Sequence, residues 1–159
     1  MKFNVYFEKD RGSHWVLSNG TPIFKSPSFE TRPNTIDDLV QFVTLMESPI
    51  FTVSQGEDDL EDPGVPCAIL ITLRQQGNKW RWDASFFDNG KSSKIGRLSE
   101  KEFDTLELAK ENATLFCNAI VVAPILDQAD VAIPNVHFDT PFAKRHRIGD
   151  IHPSSKWFK

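Results

Sequence analysis

Apolar and polar residues alternate from the start of the chain. Phe3, Val5 and Phe7 fall on one side of an extended segment, and Asn4, Tyr6 and Glu8 on the other. That period of two is the mark of a strand with one buried face. Asp10-Arg11-Gly12-Ser13 reads as a turn and residues 14–18 as a second strand. Asn19-Gly20 predicts a hairpin, because both of its turn positions need a positive φ, and Ile23-Phe24-Lys25 closes the third strand. Residues 26–34, with Pro27 and Pro33, read as loop. From Thr35 the period lengthens: Ile36, Leu39, Val40, Val43 and Met46 make one stripe, which predicts a helix to about Glu47. Thr35, with Asp38 three residues on, supplies the cap, and Ser48-Pro49 ends the helix.

The same order recurs. Residues 67–74 read as a strand, Gln75-Gln76-Gly77-Asn78 as a turn, and 79–87 as an alternating strand with Trp80, Trp82, Ala84 and Phe86 on one face. Asp88-Asn89-Gly90 is a hairpin turn and 91–98 the third strand. Ser99 and Glu102 form a capping box for a helix to about Val122, striped by Phe103, Leu106, Ala109, Ala113, Phe116 and Ile120. Asn19-Gly20 and Asn89-Gly90 are 70 residues apart, as are Thr35 and Thr105, whereas Trp15 and Trp80 are 65 apart. The expectation is an α+β fold: a tandem β-β-β-α pseudo-repeat forming one antiparallel sheet with two helices on one face. Residues 1–122 then form a single domain of two copies (1–47 and 67–122) joined by an acidic loop, 48–66. Residues 123–159 form an extended C-terminal arm and basic tail. Val131, Ile133, Val136, Phe138 and Phe142 make the arm too apolar to stay exposed, so it packs on its own sheet or on a neighbouring subunit, the latter giving a homo-oligomer.

The composition is that of a soluble globular chain: 159 residues, 40% hydrophobic and 25% charged, without the ~20-residue apolar run of a membrane helix. The first eight residues read as a strand rather than a signal peptide. Cys67 and Cys117 make no CxxC pair, which argues against a disulfide scaffold or a cysteine zinc site and points to the cytoplasm. Charge changes the picture more. The net charge is −4, yet from residue 141 onward Lys144, Arg145, Arg147, Lys156 and Lys159 face only Asp150. From Glu47 to Pro66 six acids occur without a base. Such asymmetry points to an interaction tail.

Catalytic signatures are missing. Gly90-Lys91-Ser92 resembles the end of a phosphate loop, but the glycine required five positions earlier is Ser85, and the motif opens a strand. His137 with Asp139, His146, and Asp150 with His152 lie in a proline-punctuated tail with no scaffold to fix a metal site. His14 stands alone as a strand residue. No cofactor and no enzymatic activity are expected. Arg74, Lys79, Arg81, Lys91, Lys94 and Arg97 crowd the second copy beside aromatic residues, and Lys144, Arg145, Arg147, Lys156, Trp157 and Lys159 do so in the tail. Cations that follow phosphates, interleaved with rings that stack on bases, are the equipment of single-strand binding.

Trp80-Arg81-Trp82, the following hairpin, and Ile95-Gly96-Arg97-Leu98-Ser99-Glu100-Lys101-Glu102-Phe103 resemble the strand-to-helix passage of Whirly and PUR-type repeats. That resemblance implies curved sheets that bind single-stranded nucleic acid on an open face. The twice-repeated order of aromatic-Arg-aromatic, Asn-Gly and a Ser/Thr-started helix is also similar to YegP-like tandem β-β-β-α repeats, whose function is not established. The resulting expectation is a non-catalytic single-stranded DNA- or RNA-binding protein, DNA the favoured target, of a phage or bacterium. It would serve replication, as a partner of a polymerase, or transcription, as a cofactor. If viral, it would work in the host cytoplasm. The alternative is a protein–protein adaptor or inhibitor of a host complex, using the acidic loop and the tail.

Overall fold

The computed structural model describes residues 1–55, 62–95, 101–134, 136 and 138. The chain is α+β, with two helices and eight strands among those residues: β1 (Lys2–Glu8), β2 (Gly12–Asn19), β3 (Thr21–Lys25), α1 (Arg32–Met46), β4 (Ile50–Gln55), β5 (Cys67–Gln76), β6 (Lys79–Asp88), β7 (Lys91–Lys94), α2 (Leu106–Val121) and β8 (Ile125–Asp127). The strands form two mixed four-stranded sheets, ordered β3-β2-β1-β8 and β4-β5-β6-β7, in place of the single antiparallel sheet expected. The chain divides into two compact units, residues 1–47 with 119–159, and residues 48–118.

The duplication is present, and its repeat is β-β-β-α-β. The fourth strand of each repeat joins the other repeat's sheet. β4 follows α1 but runs parallel to β5, with Phe51 beside Ile71. β8 follows α2 but runs parallel to β1, with Ile125 beside Phe3. The expected acidic loop 48–66 therefore begins with a strand. Ile50-Phe51-Thr52-Val53 is too short and too uniformly apolar or β-branched to show a period. The start of the arm, Ile125–Asp127, is likewise a strand of the first sheet, and Ile133, Val136 and Phe138 are buried within the chain, so covering them needs no neighbouring subunit.

In the first unit Phe3, Trp15, Phe24 and Phe42 build an aromatic core. Trp15 and Phe42 have ring centroids 4.8 Å apart, and Phe24 stacks on Phe42 at 5.4 Å. Trp15 is 1% exposed, and its indole Nε1 donates to Asp38 Oδ2 of α1 at 2.7 Å, tying helix to sheet while satisfying the one polar atom the ring carries. The second unit repeats the device: Trp82 Nε1 donates to Asn112 Oδ1 of α2 at 2.9 Å, and its ring lies 5.2 Å from Phe116.

These pairs correct the register. Trp15 corresponds to Trp82, not Trp80, and the helices match 74 residues apart: Leu39 with Ala113, Phe42 with Phe116, Val43 with Cys117, Met46 with Ile120. The expected offsets were two residues short in the strands and four in the helices. Two residues in a strand and about one turn in a helix leave every side chain on the same face, so the pattern could not reveal the slip. The caps move accordingly. Thr31 accepts from the Asn34 amide at 3.2 Å and places Pro33 in the first turn of α1, where its missing N–H costs nothing. Thr105 accepts from Leu108 N. Phe103 is not helical but bridges to Trp80, as Phe29 bridges to Ser13. Of the two hairpin turns, only Asn89-Gly90 has both residues at positive φ; in Asn19-Gly20 the glycine alone does, and β2–β3 carries a bulge between Leu17 and Ser18.

The bridge between Ser13 and Phe29 makes Gly12 obligatory. Its φ is +82°, and a Cβ there would sit 2.3 Å from the Phe29 carbonyl oxygen. Gly77 shares the positive φ, but nothing lies within 4 Å of its Cβ position. Gly12→Ala is expected to lose more than about 1 kcal/mol, and more than Gly77→Ala, in urea unfolding. Equal losses would show that the close approach does not matter.

Candidate nucleic-acid interface

The second sheet does not present the open basic face that alternation predicts. Leu70, Thr72 and Arg74 of β5 and Ser85 of β6 lie on the face turned away from α2, yet all are buried. Arg74, 7% exposed, sits directly across from Arg81, a like-charge pairing that is unfavourable on its own. Asp83, two positions along β6, relieves it by accepting from Arg74 Nε at 2.7 Å. Arg74 is thus a structural ion-pair residue rather than a free phosphate contact. Arg81 beside it is half-buried and also has a partner. Lys79 is held by Asp104, whose carboxylate raises the lysine's pKa and is itself lowered by the contact. Lys91 and Lys94 are exposed on β7, but the register turns them to opposite faces: Lys91 pairs with Asp88 and Lys94 with Ser85. Arg97, Lys144, Arg145, Arg147, Lys156, Trp157 and Lys159 lie outside the described residues, as do His137, Asp139, His146, Asp150, His152 and Ser99.

The structure brings a different group together on the first sheet. Tyr6 of β1 and His14 of β2 are cross-strand partners on the face turned away from Phe42 and α1. Their rings stack at 5.2 Å and 16°, and both are half-buried. Lys25, paired with Val16 on β3, shares this face. Burial, reinforced by the Lys25 charge and opposed by Glu8, lowers the His14 pKa from its usual 6.5, so the ring is neutral at physiological pH. At the β8 end of the same face, buried Asn4 donates to Asp127 O at 2.9 Å and to Asp130 Oδ1 at 2.8 Å, and Lys2 also binds Asp130 at 2.8 Å. Those two donors, Lys2 first, hold the Asp130 carboxyl below the usual range.

A neutral, partly open aromatic pair with a lysine beside it can stack on a planar group and hold an anion attached to it. Alternation puts Tyr6 on the face away from the core, and the β1–β2 register sets His14 across from it. The signal was the turn at 10–13, which fixes that pairing. The thiols add no chemistry. Burial pushes Cys117 up to about 12, and Cys67 donates to Asp88 Oδ1 at 3.2 Å. Among the described residues no group of three or more His, Cys, Asp or Glu side chains is placed to hold a metal ion. No helix among them is long and apolar enough to cross a membrane.

No protein-family model matches the chain, and no curated protein or solved structure is significantly similar to it.

Two outcomes test these assignments. Arg74→Ala should destabilise the fold by about 1.5–3 kcal/mol, because it strands Asp83. Lys94→Ala should change stability by less than about 0.5 kcal/mol. Denaturant titration decides, and an Arg74 variant as stable as the parent would show that the ion pair does not support the fold. For His14 the sign follows from its lowered pKa. The unfolded chain takes up a proton below pH 6.5 before the folded chain does, so this group's contribution is intact above 6.5 and is lost as pH falls through the lower folded value. Melting temperatures of the parent and of His14→Gln between pH 7.5 and 5 should therefore diverge, the parent falling more steeply.

Proposed function

We propose that the protein binds single-stranded nucleic acid, with unpaired bases stacking on the Tyr6–His14 pair and phosphates drawn by Lys25 and the basic tail. The observation that carries this reading is the stacked, half-buried Tyr6–His14 pair on the sheet face away from α1, with Lys25 beside it. The tail sequence supports it, since five bases from residue 141 onward accompany Trp157-Phe158. Chain-wide acidity does not oppose it, because local field rather than net charge governs where a polyanion settles. The role is binding rather than catalysis, in replication or transcription.

A gel shift with labelled single-stranded DNA, single-stranded RNA and duplex is the test. Single strands should bind and duplex should bind less well, because stacking needs unpaired bases. Tyr6→Ala should cost about 1–3 kcal/mol of affinity, and Trp157→Ala a similar amount. Deleting residues 143–159 should weaken binding at least tenfold, about 1.4 kcal/mol. Lys25→Ala should reduce the salt slope by about one phosphate. A protein that retards no single strand at low salt refutes the reading.

A further inference from the structure

Of the two stacked rings, His14 is the one that can change charge near neutrality. Its imidazole is half-buried, 5.2 Å from the Tyr6 ring and within 16° of parallel to it. The charged groups around it are few. β1 brings Glu8 beside Tyr6, and β3 brings Lys25. The turn between β1 and β2 carries exposed Lys9, Asp10 and Arg11, and Arg11 lies 3.7 Å from Glu8, drawing on that acid's charge. The segment that bridges to Ser13, Ser26-Pro27-Ser28-Phe29, brings no charge. Lys2 and Asp130, farther along the face, bind each other. α1 packs on the opposite face, through Phe42 against Phe3 and Trp15. In the free protein a proton on His14 is therefore a second positive charge near Lys25, partly out of water. A phosphate drawn to Lys25 reverses that balance. It cancels the lysine's repulsion and adds an attraction of its own. The Tyr6 ring then offers its negative face to the imidazolium.

We propose that binding of a single strand and protonation of His14 promote one another, so that the site holds its strand more tightly in mildly acidic than in neutral solution. This rests on the single-strand reading of the site. Linkage makes the coupling reciprocal: a strand that raises the proton affinity of His14 is itself bound more tightly, by the same factor, once the proton is on. The strand-bound protein keeps its proton up to a higher pH than the free protein does. Affinity is lowest where neither form is protonated, rises as pH falls through the bound value, and levels off below the free value. The protonated ring also becomes a phosphate contact. The log–log salt dependence should then steepen by about 0.7, the share of one phosphate in a single strand.

The test uses the full chain and a short oligothymidylate without terminal phosphates, whose bases and diesters do not titrate in mild acid. The His14 imidazole resonances, assigned by their loss in His14→Gln, are followed through a pH titration with and without the strand, and circular dichroism checks the fold at each pH. The His14 midpoint should rise by about one pH unit on binding, which corresponds to at most about a tenfold gain in affinity. Fluorescence anisotropy should accordingly show the parent binding about fivefold more tightly at pH 5.5 than at pH 7.5. His14→Gln should lose most of that gain, although His137, His146 and His152 remain in its tail. Lys25→Ala should raise the midpoint of the free protein. A midpoint that does not move on binding, or a pH gain that survives intact in His14→Gln, overturns the proposal and leaves the single-strand reading standing. Absence of binding at both pH values refutes that reading and this proposal with it.

Discussion

Neither sheet is completed by its own repeat, and most of the architecture depends on that constraint. The first sheet gains its fourth strand only when β8 lies parallel to β1, where Phe3 N donates to Pro124 O at 2.9 Å. The same approach provides both acceptors for the buried Asn4 amide. Without β8 that amide would be left unsatisfied, which costs about 1–3 kcal/mol in a buried setting. In the second sheet, β4 plays the matching part beside β5, whose residues from Ala68 to Arg74 are all buried. A strand covered on both faces reads as a near-continuous apolar run, as Cys67-Ala68-Ile69-Leu70-Ile71 does.

Much of this was legible because each element announces itself through local chemistry. The alternation of residues 3–7 and 80–86, the Asn89-Gly90 turn and the helical stripes all predicted the elements found. What stayed hidden was long-range. Nothing in Ile50–Gln55 says that it pairs with β5 rather than extending a loop, and nothing in Ile125–Asp127 says that its partner begins at Phe3. Parallel pairing leaves no turn signature, because its connections are long. The capping error had a different origin. Thr31 and Thr35 are one turn apart and both can start a helix, and a Pro33 that reads as loop is equally at home in the first turn of a helix.

The candidate site was less legible than the fold. Alternation correctly put Arg74 and Arg81 on the face away from Trp82, but it cannot say whether that face meets water. The burial of Arg74 against Asp83 answers that for Arg74, whereas Lys79 keeps its exposure and is paired with Asp104. Conversely, Tyr6 and His14 are unremarkable in sequence, and only the β1–β2 register makes them a stacked pair. Sites assembled across strands depend on register, and register is the information a single sequence carries most weakly.

The parallel contact of β1 with β8 joins residues more than 120 positions apart. The chain must close a loop nearly as long as itself before that pairing repays any entropy, and contacts of such wide separation slow folding. During synthesis, β1, β2, β3 and α1 emerge long before the strand that belongs at the edge of β1. Until residues 125–127 arrive, the growing polypeptide carries that edge uncovered. The last short strand is therefore the latch of the first sheet, and the nascent chain is most vulnerable to wrong strand pairing in the interval before it closes.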